Sequence, residues 1–147
     1  MGDPLWSASA AFGDADGDGD LDLYVTNYVD FTLADNKICG VITRGVRSYC
    51  HPDVYDGEPD RFYLNRGDGT FEDATAEAGF GGARGKGLGV IFGDLTDDGR
   101  PDLYVANDMT PNFVFLNRGP DDGARVRFED LSLLSGATHG DRGLPEA

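Results

Sequence analysis

A glycine-rich acidic stretch, GDADGDGDLDLYV at residues 13–25, places an aspartate at every second position before the sequence turns apolar. Carboxylates this close repel one another, which indicates that a cation lies among them. Ca²⁺ is a hard cation that takes about six to eight oxygen ligands, and a short loop with acids at alternate positions can surround it. We expect four side chains and one backbone carbonyl to bind calcium here: the side chains of Asp14, Asp16, Asp18 and Asp22, and the carbonyl of Asp20.

A second stretch, at residues 94–102, repeats this arrangement with changes in composition. The corresponding positions are Asp94, Thr96, Asp98, Arg100 and Asp102. Thr96 offers a hydroxyl in place of a carboxylate, and Arg100, at the position of the carbonyl ligand, brings a cationic side chain into the loop. We therefore expect the second loop to bind calcium more weakly than the first. The sequence predicts up to two calcium ions, the tighter one in the first loop.

Two other interpretations of the acidic loops are open. An EF-hand has a glutamate at the twelfth loop position and a helix on each side. Position twelve is Val25 in the first loop and Val105 in the second, and both flanks have the pattern of strands. Aspartates also favour exposed turns that bind no metal. This last alternative is stronger for the second loop than for the first.

The acidic loops belong to a larger internal repeat. FGDADGDGDLDLYVTN at residues 12–27 aligns without a gap with FGDLTDDGRPDLYVAN at residues 92–107, and residues 62–73 align with residues 114–130, which carry five extra residues. Each copy contains short segments rich in Val, Phe and Tyr between glycines, which is typical of strands. Four strands per copy are the content of one propeller blade, a four-stranded antiparallel sheet. The sequence predicts an all-β fold with strands near residues 7–13, 21–27, 61–65, 70–75, 88–93, 102–107, 112–117 and 126–131.

Composition limits the function classes. The chain has 147 residues and a formal net charge of −15. Nucleic acids and anionic membranes need basic patches, so neither is an expected partner. No apolar run approaches the roughly 18 residues of a membrane span, and residues 1–10 lack the pattern of a secretory signal. We interpret the chain as a segment that begins inside a longer protein.

Both cysteines lie in an insertion, at about residues 29–58, that the second copy lacks. Cys39 and Cys50 would form a disulfide closing a surface loop in an oxidising compartment. Two free thiols are the alternative. Zinc is poorly supported, because Cys39, Cys50 and His51 have no evident fourth ligand.

Two further groups of residues have a structural interpretation. Asn107, Asp108 and Asn112 follow a predicted strand, where turn chemistry explains them better than a metal site does. Trp6 is expected in the core rather than on a sugar-binding surface.

FGDADGDGDLDLYVTN, LNRGDGTFEDATAEAG and FGDLTDDGRPDLYVAND together resemble FG-GAP repeats of the VCBS type, in particular those of the bacterial ASPIC/UnbV and cartilage acidic protein group. The resemblance implies blades of a β-propeller related to the head of integrin α subunits, with each acidic loop joining the first two strands of a blade. It also implies an extracellular, periplasmic or cell-surface location. The repeats would occupy residues 6–80 and 87–137, followed by a linker or the start of a next repeat at 138–147.

The expected function is therefore a calcium-binding, noncatalytic propeller segment that serves structure or binds an extracellular protein or carbohydrate. The chain carries no hydrolase, zinc-protease or phosphate-loop motif. The alternative is an accessory, substrate-binding part of a larger secreted enzyme. Because closed propellers have about four to eight blades, we expect either further blades in a longer chain or association with other copies.

Overall fold

A computed structural model of the chain describes residues 3–34, 36–121 and 123–138. Residues 139–147, which contain nearly all of the predicted linker or next repeat, lie outside the described residues. The elements in chain order are β1 (Ser7–Gly13), β2 (Asp22–Asn27), β3 (Cys39–Val41), β4 (Val46–Ser48), β5 (Glu58–Pro59), β6 (Arg61–Asn65), β7 (Phe71–Asp73), β8 (Arg84–Gly85), β9 (Gly87–Gly93), β10 (Asp102–Asn107), β11 (Phe113–Asp121), β12 (Ala124–Asp130) and α1 (Ser132–Ser135).

Two four-stranded antiparallel sheets dominate the fold. The first has the order β1-β2-β6-β7 and the second the order β9-β10-β11-β12. Each strand therefore pairs with its neighbour along the repeat, as in a propeller blade. The all-β prediction is confirmed, and we call the two sheets the first and second blade. A single turn of helix, α1, follows the last strand and was not expected from the sequence.

The core lies between the two blades. Alternation along each strand sends one row of side chains to this interface, so Tyr24 and Phe62 of the first blade are fully buried against residues of the second, including Leu103. The ring of Phe80, from the connection between the blades, packs at 4.9–5.4 Å from four other aromatic rings: those of Tyr24, Phe62, Phe115 and Phe128. One aromatic side chain thus joins both sheets into a common core.

The two blades approach each other closely at two glycines, Gly13 in β1 and Gly87 in β9. A Cβ atom on Gly13 would lie 2.6 Å from Cγ of Phe92, and one on Gly87 would lie 2.7 Å from Cβ of Thr26. Real Cβ contacts are not this short, so each position needs glycine for the backbone to reach the opposing blade. The blade spacing is therefore set by the absence of two side chains.

The insertion forms a separate hairpin, β3 paired with β4. Cys39 and Cys50 are joined by a disulfide at its base, as the sequence predicted. The insertion also contacts the connection between the blades, because Nζ of the buried Lys86 donates to the carbonyl of Pro52 at 2.9 Å. None of the helices in the described ranges has the length and apolar character needed to cross a membrane.

Candidate metal centre

The first acidic loop is the connection between β1 and β2, which end and begin at Gly13 and Asp22. Gly17 and Gly19 adopt left-handed φ angles of 77° and 93° inside it. Residues other than glycine rarely adopt this backbone conformation. The glycines therefore bend the backbone so that alternate aspartates point to the inside of the loop.

Asp14, Asp16 and Asp18 are brought together by this bend. One carboxylate oxygen from each lies within 4.8 Å of the others. In the portion of the chain that the structure describes, this is the one such group of three acidic, histidine or cysteine side chains. The donor set consists of carboxylate oxygens alone, which suits a hard cation such as Ca²⁺.

Backbone amides hold all three carboxylates in place, and Asp16 accepts a hydrogen bond from the N–H of Asp18 at 3.3 Å. Asp14 accepts hydrogen bonds from the N–H groups of Gly17 at 2.9 Å and Gly19 at 3.1 Å. Asp18 accepts one from the N–H of Asp20 at 2.9 Å. Asp20 itself is exposed. The loop geometry thus depends on the same side chains that would bind the metal.

Asp22 is fully buried and serves the backbone. Its two oxygens accept hydrogen bonds from the N–H groups of Ala15 and Asn65, both at 2.9 Å. Burial raises the pKa of this carboxyl, and the charges of Asp16 and Asp18 raise it further, against the lowering effect of the two hydrogen bonds. The structure places Asp22 beside the group of three acids rather than within it.

A cation from the other blade already faces the acidic group. Nη1 of Arg125, in β12, lies 3.5 Å from Oδ2 of Asp16 and 3.8 Å from Oδ2 of Asp18. The side chain of Asp16 is only 4% exposed. Burial raises its pKa, the nearby charge of Asp18 adds to this, and the charge of Arg125 lowers it. The guanidinium therefore offsets part of the repulsion among the acids.

The loop is also tied to the second blade by a hydrogen bond. Nδ2 of Asn117, in β11, donates to the carbonyl of Ala15 at 2.8 Å, and both residues are buried. Neither Asn117 nor Arg125 was expected at this site from the sequence. The repeated LNRG segment contains Asn117 and could have indicated it, whereas Arg125 lies among the extra residues of the second copy and carries no pattern.

The second loop joins β9 and β10 in the same way, but its side chains are arranged differently. Asp94 accepts hydrogen bonds from the N–H groups of Asp98 at 3.1 Å and Gly99 at 2.8 Å. Asp97, at the position of Gly17, has a left-handed φ of 60°. Hydrogen bonds from the backbone, led by that of Gly99, lower the pKa of Asp94. The backbone path of the first loop is thus kept without its glycine.

Arg100 and Asp98 form an ion pair within the second loop, and Nε of Arg100 also donates to the carbonyl of Asn117 at 3.0 Å. Asp102 is fully buried and accepts from the N–H groups of Leu95 and Asn117. Thr96 is exposed. The predicted ligands of this loop therefore form no group of three acids, and the guanidinium of Arg100 pairs with the carboxylate of Asp98.

The opposite end of the first blade carries an aromatic pocket of about 500 Å³. Trp6, Tyr28, Phe31, Lys37 and Tyr55 line it, together with the disulfide. The Trp6 ring packs against those of Tyr28 and Phe31 at 5.6 and 5.2 Å. Trp6 is 49% exposed, so the expectation that it enters the core is wrong. The reason is that the residues before β1 pack against the insertion instead of the second blade.

The sheets and loops define a class of protein: paired propeller blades with an acidic loop in the first hairpin of each. A family model described as an FG-GAP-like repeat matches residues 50–105. This segment runs from the insertion to β10, and it therefore joins the outer strands of the first blade to the inner strands of the second. The chain therefore contains an FG-GAP-like repeat, as its sequence motifs indicated.

Curated proteins similar to this chain include cartilage acidic protein 1 from three species. Human cartilage acidic protein 1 is 34% identical over 96 residues, which cover 63% of this chain and 14% of that protein. The Xenopus tropicalis protein of the same name is 32% identical over 74 residues, 50% of this chain and 11% of that protein. The mouse protein is 31% identical over 96 residues, 63% and 15% respectively. The chain is thus similar to the cartilage acidic proteins and spans about one-seventh of their length.

Proposed function

We propose that the chain is a calcium-binding, noncatalytic propeller segment with a structural or binding role outside the cytoplasm. The observation that carries the proposal is the group formed by Asp14, Asp16 and Asp18, whose oxygens lie within 4.8 Å of one another. A bound Ca²⁺ would neutralise this group and stabilise the folded loop. The FG-GAP-like repeat and the repeated loop sequence support the same proposal.

The main effect of the metal would be to make the first acidic loop more rigid. In the first loop, Asp14 organises the backbone and Ala15 accepts a hydrogen bond from Asn117 of the second blade. Fixing the acids of this loop therefore also fixes a contact between the blades. We propose a second, weaker calcium site at the loop of Asp94 and Asp98, where the ion pair of Arg100 must first be displaced.

We propose an extracellular, periplasmic or cell-surface location and repeat boundaries near residues 6–80 and 87–137. The disulfide between Cys39 and Cys50 supports the location, because such bonds persist in oxidising compartments. The ligand would be a protein or a carbohydrate. Net charge argues against nucleic acid.

A second candidate function is an accessory, substrate-binding part of a larger secreted enzyme. The aromatic pocket favours it, since Trp6 and Tyr55 present apolar ring surface and Lys37 a hydrogen-bond donor to a ligand. Binding of sugars at this pocket would support this second candidate, whereas the acidic loops support the calcium-binding function.

Calcium titration of the wild type and of Asp16→Asn tests the proposal. The substitution keeps the shape of the side chain but removes a charge from the group. Asp56→Asn is the matched control, because Asp56 is exposed in the insertion and its substitution changes the net charge equally. A metal that binds only the folded state stabilises it by about 2.7 kcal/mol at a hundredfold excess over Kd.

We expect wild type and Asp56→Asn to bind calcium and to unfold at higher temperature with calcium than with chelator. Asp16→Asn should lose the tighter site and most of the thermal shift. Equal calcium affinity in all three proteins would overturn the proposal for the first loop.

A further inference from the structure

Each blade has one face at the interface between the blades and one outer face. Because the chain repeats, each residue at that interface has an equivalent on an outer face. The outer face of the first blade, which we call the leading face, carries Phe12, Leu23 and Val25. The outer face of the second blade, the trailing face, carries Ile91, Gly93 and Tyr104.

Phe12 and Gly93 are the equivalents of a pair that is joined inside the molecule. There, the ring of Phe92 packs against the core and over Gly13, so that a Cβ on Gly13 would lie 2.6 Å from Cγ of Phe92. On the leading face Phe12 is 59% exposed. On the trailing face, none of the described residues comes within 4 Å of a Cβ built on Gly93. The outer faces thus hold the aromatic ring and the open glycine separately.

A second equivalent pair shows the same division. Inside the molecule Asn117 donates to the carbonyl of Ala15, and the two residues are 0% and 3% exposed. Their equivalents are Asn65, half-buried at the end of β6 in the first blade, and Leu95, 55% exposed in the second acidic loop. The donor and the acceptor loop of a second such contact are therefore both available.

The apolar residues near these two pairs are likewise buried at the internal interface and more exposed on the outer faces. Leu103 and Val105, at the internal interface, are fully buried, whereas their equivalents Leu23 and Val25 are only half-buried on the leading face. Ile91 of the trailing face is 62% exposed. Exposed apolar groups of this kind mark surfaces that bind a partner.

We propose that a second copy of this chain docks head to tail, its leading face on the trailing face of the first. Phe12 of one copy packs over Gly93 of the other, and Asn65 of the first donates to the carbonyl of Leu95 of the second. The internal interface specifies this occupant, because the new contact repeats it with equivalent residues. A head-to-tail contact closes into a ring if its rotation allows, and about four to eight blades per ring correspond to about two to four copies.

Sedimentation velocity of the 147-residue chain, from about 10 μM to about 1 mM, tests the proposal. Phe12→Asp removes the leading ring and Gly93→Val fills the trailing slot. Both positions are open in a single copy, so each variant should keep its fold, which circular dichroism checks. Leu33→Gln is the matched control, since Leu33 is 92% exposed but lies in the insertion.

We expect the wild type and Leu33→Gln to associate and each of the two face variants to remain monomeric. An equimolar mixture of Phe12→Asp and Gly93→Val should form a one-to-one dimer, because one intact leading face meets one intact trailing face. A contact between two identical faces gives no such dimer. Association of Gly93→Val at wild-type strength, or a mixture that stays monomeric, would overturn the proposal. A wild type that stays monomeric also overturns it and leaves a blade of the same polypeptide as the occupant.

Discussion

Asp60 and Asn112 occupy equivalent positions in the two blades and make the same hydrogen bond. Oδ1 of Asp60 accepts from the N–H of Asn27 at 2.8 Å, and Oδ1 of Asn112 accepts from the N–H of Asn107 at 2.8 Å. Asp60 also accepts from the hydroxyl of Tyr24 at 3.0 Å. The hydrogen bond needs only an oxygen, so the charge of Asp60 is dispensable at this position.

Asp60→Asn should therefore stabilise the protein at neutral pH. Burial raises the pKa of Asp60 from its ordinary 3.8 to about 6, although hydrogen bonds from Asn27 and Tyr24 oppose the rise. Between these values the folded chain holds one more proton than the unfolded chain, so wild-type stability falls as pH rises through this interval. The shift corresponds to about 3 kcal/mol.

Urea unfolding from pH 3.5 to 7.5 measures this effect. Asp60→Asn should show a flatter profile between pH 4 and 6 than the wild type and a higher unfolding free energy at pH 7. Asp56→Asn, which changes an exposed acid, should follow the wild type. Parallel profiles for wild type and Asp60→Asn would contradict the raised pKa.

Gly13→Ala should destabilise the protein much more than Gly93→Ala. A methyl group on Gly13 meets the ring of Phe92, which must shift within a packed interface, whereas Gly93 has open space. Overpacking of this kind costs about 1–3 kcal/mol. Thermal unfolding at the same low protein concentration compares the two variants, which differ only in the blade that receives the methyl group. Similar losses in both would show that the blades do not pack as closely as described.

Arg125→Gln should increase the calcium affinity of the first loop. The guanidinium faces Asp16 and Asp18 at 3.5 and 3.8 Å and competes with a metal for their charge. An ion pair whose cation is this exposed contributes about 1 kcal/mol, or roughly fivefold in affinity. Isothermal titration with Ca²⁺ measures the change. Arg118→Gln is the control, because Arg118 pairs with Glu129 instead, and it should leave the affinity unchanged.

Thr96→Asp with Arg100→Asp should turn the second loop into a tighter calcium site. The double substitution adds two carboxylates and removes the ion pair that holds Asp98. In an Asp16→Asn background, the calcium affinity of this loop should rise roughly tenfold. Thr96→Asn with Arg100→Asn is the uncharged control. Equal affinities of the charged and uncharged pairs would argue that the second loop is a turn without a metal role.

Local patterns in the sequence predicted local structure well. Alternating apolar residues indicated the strands Arg61–Asn65 and Asp102–Asn107 at their observed bounds, and the two cysteines are bonded as expected. The Asp-x-Asp spacing also indicated the acids that come together in the first loop. These features depend on neighbours a few residues away, which a single sequence displays.

Contacts between the blades could not be predicted in the same way. Phe80 lies in the connection after the first blade, and in the sequence nothing distinguishes it from the other aromatic residues. Only the structure shows that it packs against both sheets. Arg125 lies more than one hundred residues from Asp16 along the chain, and the charge pattern gives no sign of their contact. The half-exposed position of Trp6 depends likewise on the path of the insertion.

The insertion and the first acidic loop lie at opposite ends of the first blade. Strands β1 and β2 are joined by the first acidic loop, whereas β2 and β6 are joined by the insertion, and antiparallel pairing places these two connections at opposite ends of β2. A mutation that lengthens or replaces the insertion therefore leaves the acidic loop unchanged. The insertion can therefore vary in length and composition while the first acidic loop, at the other end of the strands, keeps its geometry.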